Sequence, residues 1–262
     1  TYSDKKFKES SERIIRENES SKKIIHKRFF CTYGDKRFKE SRERIIKEAE
    51  SINLFNKCIL YTDSSLNEGE YKQQKINEEF NKVSSAFRGG GYYLWKPFIL
   101  FNALNSLNNN DTLIYTDAGS TIVNNDKNIE NLNSLITEIE NSKYGVLGIR
   151  TPFIEKDWTK GDVFNYFNFY NDLNVTHTRQ FAGGIIHIAK KCSHSLNMYS
   201  SWWETAIKRP DLFDDSISKV PNLTGFQENR HDQSVWSLIC KKFGVVEIND
   251  SDSPVYVTRL RR

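Results

Sequence analysis

Five stretches of this 262-residue chain carry residues able to do chemistry on a charged ligand. In "DTLIYTDAGS", residues 111–120, the apolar run Leu113-Ile114-Tyr115 reads as a buried strand that delivers Asp117 into Ala118-Gly119-Ser120. These neighbours are too small to cover a carboxylate. Because an unpartnered buried ion is costly, Asp117 is expected to be exposed, to cap a turn, or to hold a ligand. In "RGGGYYLWKP", residues 88–97, three glycines free the backbone to approach a phosphate, and Arg88 and Lys96 bracket them with positive charge. Neither a Walker loop nor G-x-G-x-x-G is present, so the run reads equally as a ligand loop or a mobile turn. Trp95 reads either as a stacking surface or as core.

The third stretch, "RHDQSVWSLI" at 230–239, opens a helix whose Val235, Trp236, Leu238 and Ile239 point inward. Asp232 is then either its N-cap or a carboxylate near a reacting carbon, with His231 beside it as a metal ligand or phosphate donor. In "RQFAGGIIHIAK", residues 179–190, Gly183-Gly184 marks a close backbone approach or a bulge, and His187 is expected to be a satisfied core histidine. The fifth, "EKDWTKGDVF" at 155–164, places Trp158, Lys160 and Asp162 in a predicted loop of the kind that stacks on and hydrogen-bonds sugars, or that simply covers a surface.

The elements that must position these residues alternate. Strands are predicted at "KRFFCTYG", "KCILYTD", "TLIYTDAG", "YGVLGIR", "QFAGGIIHIA" and "GVVEIND"; helices at "KESRERIIKEAESINLF", "YKQQKINEEFNKVSSAF", "YLWKPFILFNALNSLN" and "NIENLNSLITEIENS", the third started or broken by Pro97. Such alternation argues for a mainly parallel α/β sheet with ligands beyond the carboxyl ends of its strands, where Asp117 lies.

The net charge of +4 is uneven: the first fifty residues hold fifteen Lys/Arg against ten Asp/Glu, leaving the remainder near −1. That excludes nucleic acid as the main body's partner. Four scattered cysteines lack zinc spacing and read as free thiols in a reducing compartment; no apolar run approaches a membrane span. The opening "TYSDKKFKESSERIIRE" returns thirty-one residues later as "TYGDKRFKESRERIIKE", identical at thirteen of seventeen positions. Only the second copy has a strand before it, so residues 1–27 are read as a duplicated helical extension and 28–262 as the working domain.

Taken in order, "CTYGDKRFKESRERIIKEA", "RGGGYYLWKPFIL", "LIYTDAGS", "EKDWTKGDVF", "QFAGGIIHI" and "RHDQSVWSLI" resemble a bacterial and large-virus group of nucleotide-diphospho-sugar glycosyltransferases of GT-A fold. The resemblance covers about residues 28–248. It implies a single Rossmann-like GT-A domain with a mixed, mainly parallel sheet flanked by helices. Carried over by position, it puts Thr32 and Tyr33 at the nucleoside base, with Trp95 and Gly119 also in the donor pocket. Asp117 takes the place of the D-x-D motif on ribose or on a Mn²⁺ or Mg²⁺ ion, with His231 as a further metal ligand. Arg88 and Lys96 neutralise the diphosphate, while Gly183 and Gly184, with Trp158 and Lys160, line the acceptor. Asp232, Asp117 and Asp162 are the candidate catalytic carboxylates. The donor implied is a UDP-sugar before others, the acceptor a glycan or glycosylated protein, and the setting cytoplasmic. One departure stands out: Gly119 replaces the second acidic residue of D-x-D, so the site has lost a cation ligand and metal-independent action is an alternative. Two rivals follow from the same residues: a non-catalytic glycan- or nucleotide-binding module, and a metal-assisted phosphoester hydrolase or nucleotidyltransferase on Asp117.

Overall fold

The computed structural model of the protein describes residues 26–257. The expected extension over 1–27 therefore lies, apart from His26 and Lys27, outside the described residues. Strands β1 (Arg28–Tyr33), β2 (Lys57–Tyr61) and β3 (Thr112–Tyr115) are parallel, and β7 (His187–Lys190) closes the sheet antiparallel in the order β2-β1-β3-β7. A bridge from Val146 to Ala189 joins it to a second sheet, β6 (Arg179–Phe181), β5 (Leu147–Ile154) and β8 (Val246–Asn249), in which β5 and β8 are parallel. A ribbon of β4 (Ser120–Ile122) and β9 (Val255–Val257) sits beyond β3. The α/β sheet flanked by helices is thus as expected, and no helix among the described residues is long and apolar enough to cross a membrane.

The sheet is covered on both faces, and period-two alternation shows it. In β3, Leu113 and Tyr115 enter one apolar cluster and Ile114 the other; in β1, Cys31 and Phe30 divide the same way. Helices α1 (Lys39–Ser51) and α3 (Asp126–Asn141) supply Ile45, Ala49, Leu132 and Ile136 to the second cluster. Against the first pack α2 (Trp95–Ser106), α4 (Ser193–Lys208) and α5 (Asp232–Phe243), with Trp202 and Trp236 at 4.8 Å between ring centroids. Pro97 falls in the first turn of α2, where a backbone N–H has no intrahelical partner, so it starts that helix rather than breaking it.

Three local expectations are corrected. The polar helix predicted across 71–87 is two, Gly69–Gln74 and Glu78–Ser84, because Asn77 leaves helical geometry and its side chain caps the second by accepting from the Phe80 N–H. The single strand predicted over 180–189 is β6 and β7 in different sheets, with Gly183-Gly184 in the crossing between them. The loop predicted at 155–164 is two short helices, Glu155–Trp158 and Gly161–Tyr166, with Glu155, Thr159, Lys160 and Asp162 all buried.

Candidate functional site

Asp117 lies two residues beyond Tyr115, the end of β3, and four contacts fix it. Its backbone N–H donates to the Gly184 carbonyl (3.1 Å), its own carbonyl accepts from Ser120 N–H (2.9 Å), and Tyr115 Oη donates to Oδ1 (2.6 Å). From behind, Arg44 of α1 donates to the Ala118 and Ser120 carbonyls, so the second copy of the repeated segment holds the turn. The carboxylate stays 41% exposed. The fourth contact is Lys96, from the first turn of α2.

Lys96 is the centre of the site. Its side chain is 3% exposed, yet Nζ lies 2.8 Å from Asp232 Oδ2 and 3.2 Å from Asp117 Oδ1, and it donates to the Gly183 carbonyl at 3.0 Å. Burial alone would drive the ammonium toward neutrality, but the two carboxylates outweigh it and hold its pKa above the ordinary lysine value. Asp232, 7% exposed at the start of α5, responds to burial first: its carboxyl is lifted to about 6 despite the pull of Lys96. It is the first helical residue rather than the cap, a position occupied by His231.

The diglycine crossing is held from three sides. His187 Nε2 lies 3.1 Å from the Gly183 carbonyl and Nδ1 3.1 Å from Tyr199 Oη, so it is the satisfied core histidine expected; burial lowers its pKa to about 3. Gln233 Oε1 accepts from Gly183 N–H (3.3 Å), while its amide donates to Gln180 Oε1 (2.8 Å). Gln180 in turn binds Glu155, which pairs with Lys241. Gln233 escaped the sequence reading, although it sits inside the quoted "RHDQS"; nothing in an amide's spacing points to its partner.

The glycine run is not a bare loop. Residues 89–93 all have positive φ, tolerated by three glycines but costly at Tyr92 and Tyr93, and the N–H groups of Gly90, Gly91, Tyr92 and Tyr93 donate back into the turn. A Cβ on Gly91 would strike the Ser84 carbonyl. Arg88 leaves this turn toward solvent and pairs with Asp215 (3.0 Å) and Glu228 (3.5 Å). His231 lies behind that pair, its ring 5.1 Å from Tyr92 and 6.2 Å from Tyr93. Its backbone, φ 55° and ψ −120°, is an outlier for a bulky residue, a conformation worth about 1–3 kcal/mol that persists only where the surroundings impose it.

Of the remaining predicted residues, Thr32, Tyr33, Trp95, Lys160 and Asp162 are buried and taken up by internal partners, while Trp158 and Gly119 are half-buried. Thr32 is fully buried and donates to the Thr116 carbonyl (2.8 Å), so it does not meet a base. Trp95 is spent internally, stacked 4.1 Å from Tyr33 and donating to the Gly89 carbonyl, while Tyr33 donates to Asp63 (2.9 Å). Lys160 is buried against Asp214 (3.1 Å) and the Asp211 carbonyl, and both Asp162 oxygens accept backbone N–H groups, from Lys219 and Val220 at 2.9 Å each. Neither faces an acceptor or a reacting atom; both fix the 211–221 segment. Trp158 packs on Phe153 and lies under the Arg230 guanidinium at 4.2 Å. Gly119 sits in the turn after Asp117.

A resident Mn²⁺ or Mg²⁺ does not fit this arrangement. Such ions want several oxygen ligands, and among the described residues no three His, Cys, Asp or Glu side chains form a metal-holding group. Asp117 and Asp232 already share an ammonium, position 119 offers no side chain, and His231 sets Nε2 against Asp215 at 3.8 Å. The expected Asp117–His231 metal pair is therefore withdrawn, and Lys96 and Arg88 are the cations of the site.

No protein-family model matches the chain, and no curated protein matches it in sequence. Among solved structures, mouse xyloside xylosyltransferase 1 is similar at 14% identity and a TM-score of 0.45, over 85% of this chain and 84% of that one. The glycosyltransferase GlyE of Streptococcus pneumoniae is similar at 12% and 0.43, over 86% of this chain and 45% of that one. A glycosyltransferase involved in glycosylation of the PBCV-1 major capsid is similar at 10% and 0.39, over 85% and 81%.

Proposed function

We propose that the chain is a glycosyltransferase of GT-A type that moves a sugar from a nucleotide-diphosphate sugar, a UDP-sugar before others, to a glycan or protein-linked acceptor. The observation that carries this reading is the half-exposed Asp117 at the carboxyl end of β3, locked by Tyr115, Gly184 and Lys96 beside the buried carboxylate of Asp232. Supporting it is the order of motifs along the sequence, of which the diglycine, the Asp-Ala-Gly turn and the His-Asp-Gln-Ser helix start converge on one ammonium.

The chemistry is the breaking of a sugar–phosphate bond while negative charge builds on the leaving diphosphate. Arg88 supplies the mobile cation. Its partners Asp215 and Glu228 are about half exposed, and such surface pairs are held by about 0–1 kcal/mol, so an incoming phosphate can take the guanidinium from them. Lys96 acts differently: its three acceptors belong to the protein, so it orders the two carboxylates rather than touching the phosphates. Asp117 presents its open edge to the donor's ribose or sugar hydroxyls. Asp232, ionised above about pH 6, is the carboxylate set to accept a hydroxyl proton or to stand under the anomeric carbon.

Release of nucleoside diphosphate from a panel of UDP-, GDP-, CMP- and dTDP-sugars, with and without glycan acceptors, tests this. Turnover with one nucleotide family is expected, undiminished by EDTA. Binding of a nucleotide sugar without any release, in water or onto an acceptor, would mark a non-catalytic binding module instead. The saturation of Lys96 by protein acceptors is the observation favouring that second reading.

A further inference from the structure

His231 is a buried hydrogen-bond acceptor with nothing to accept. Its Nδ1 lies 2.8 Å from the Phe213 carbonyl, which can only accept, so the ring proton is on Nδ1 and Nε2 carries a lone pair. Burial, the largest influence on this ring, lowers its pKa and keeps it neutral. The side chain is 6% exposed, and Nε2 has no hydrogen-bond partner. What faces Nε2 is Asp215 Oδ1 at 3.8 Å, a second acceptor. A buried acceptor such as Nε2, opposed by a second acceptor, is unfavourable unless something supplies a hydrogen.

The chemistry of that missing group is constrained. A cation is not called for, because Arg88 already balances Asp215 through Oδ2 and no third metal ligand joins the pair. Of the remaining charged and titratable neighbours, Glu228 pairs with Arg88 and the Tyr92 hydroxyl hydrogen-bonds Asp215. A neutral group with two adjacent O–H donors satisfies both acceptors. The Nδ1 hydrogen bond to the Phe213 carbonyl holds the imidazole in place.

We propose that His231 Nε2 and Asp215 Oδ1 together receive a vicinal diol of the donor sugar, each accepting one hydroxyl hydrogen. The inference rests on the donor-site reading above and adds a sugar-specificity pair to it.

Calorimetric titration tests it, using the tightest binder among UDP-glucose, UDP-galactose, GDP-mannose and dTDP-rhamnose, the matching nucleoside diphosphate, and deoxy-sugar analogues lacking one hydroxyl of each diol. Asp215→Asn, at an exposed position where folding is safe, and His231→Asn, which tolerates positive φ, should each weaken the nucleotide sugar about tenfold relative to the nucleoside diphosphate. Each deoxy analogue should show the same loss on the unaltered protein and no further loss on the variant that lacks that hydroxyl's own partner. Equal affinity of wild type and Asp215→Asn for the nucleotide sugar, or equal loss of nucleotide and nucleotide sugar, would overturn the inference while leaving the donor site standing. An unaltered protein that binds no nucleotide at all would overturn the donor-site reading, and this inference with it.

Discussion

Gly184 accepts the Asp117 N–H through its carbonyl at 3.1 Å and lies so close to the aspartate that a Cβ there would overlap both Asp117 Oδ2 and Lys96 Nζ. The glycine is required for room, not for an unusual backbone angle. It lets a strand crossing press directly against an ion pair.

Gly184→Ala should therefore displace the Asp117 carboxylate rather than unfold the sheet. Displacements on the ångström scale at a reacting centre cost about a hundredfold, so kcat/KM with a nucleotide sugar should fall by that order. Stability should drop by about 1–3 kcal/mol, the usual effect of overpacking. Steady-state kinetics and denaturant melts check both; wild-type kinetics would mean that Asp117 does not act where it is placed.

Asp232 makes a pH prediction with a definite sign. Its folded pKa of about 6 lies above the unfolded value near 3.8, so it gives stability that is fully present below about pH 4 and lost as pH rises through 6. His187, lowered to about 3, works the opposite way, destabilising the fold as pH falls below about 6.5. Asp232→Asn removes only the first contribution, so from pH 6 to 4 its stability should fall more steeply than that of the unaltered protein. Turnover should rise with pH through about 6 in the wild type, and that limb should vanish in the variant.

Lys96→Met leaves Asp117 and Asp232 facing each other without the ammonium. Breaking a buried ion pair by removing one partner costs about 3–5 kcal/mol. The double variant Lys96→Met/Asp232→Leu should recover much of that loss without recovering turnover. Thermal and urea melts of both variants read this directly.

Asp162→Ala should behave as a structural variant. Its two backbone acceptor contacts to Lys219 and Val220 vanish, exposing unpaired N–H groups, and stability should drop by about 1–3 kcal/mol with KM and kcat little changed at a temperature where the variant is folded. A kcat loss of a hundredfold with stability intact would restore Asp162 to the reacting centre.

Which parts of the site were legible depended on how each residue makes its contacts. Asp117, Lys96 and Asp232 stood out in the sequence because each sits at an element boundary beside small or turn residues. Lys160 and Asp162 were misread because their partners are backbone groups fifty or more residues on, at Asp211, Lys219 and Val220. Spacing along the chain carries no sign of such partners. The helix and strand order was legible from periodicity, but the split of β6 and β7 at Gly183-Gly184 is a tertiary choice, with Gln233 and Lys96 both hydrogen-bonded to Gly183. The same holds for His231, whose role depends on Phe213 and Asp215 brought beside it by the 211–221 segment.

The most direct test of the donor site is release of nucleoside diphosphate from the nucleotide sugar that binds most tightly, compared between the unaltered protein and Asp117→Asn at equal occupancy. The unaltered protein should turn over in EDTA, and Asp117→Asn, still folded, should lose at least a hundredfold in kcat/KM. Equal turnover by the two proteins would contradict the assignment of Asp117 to the donor.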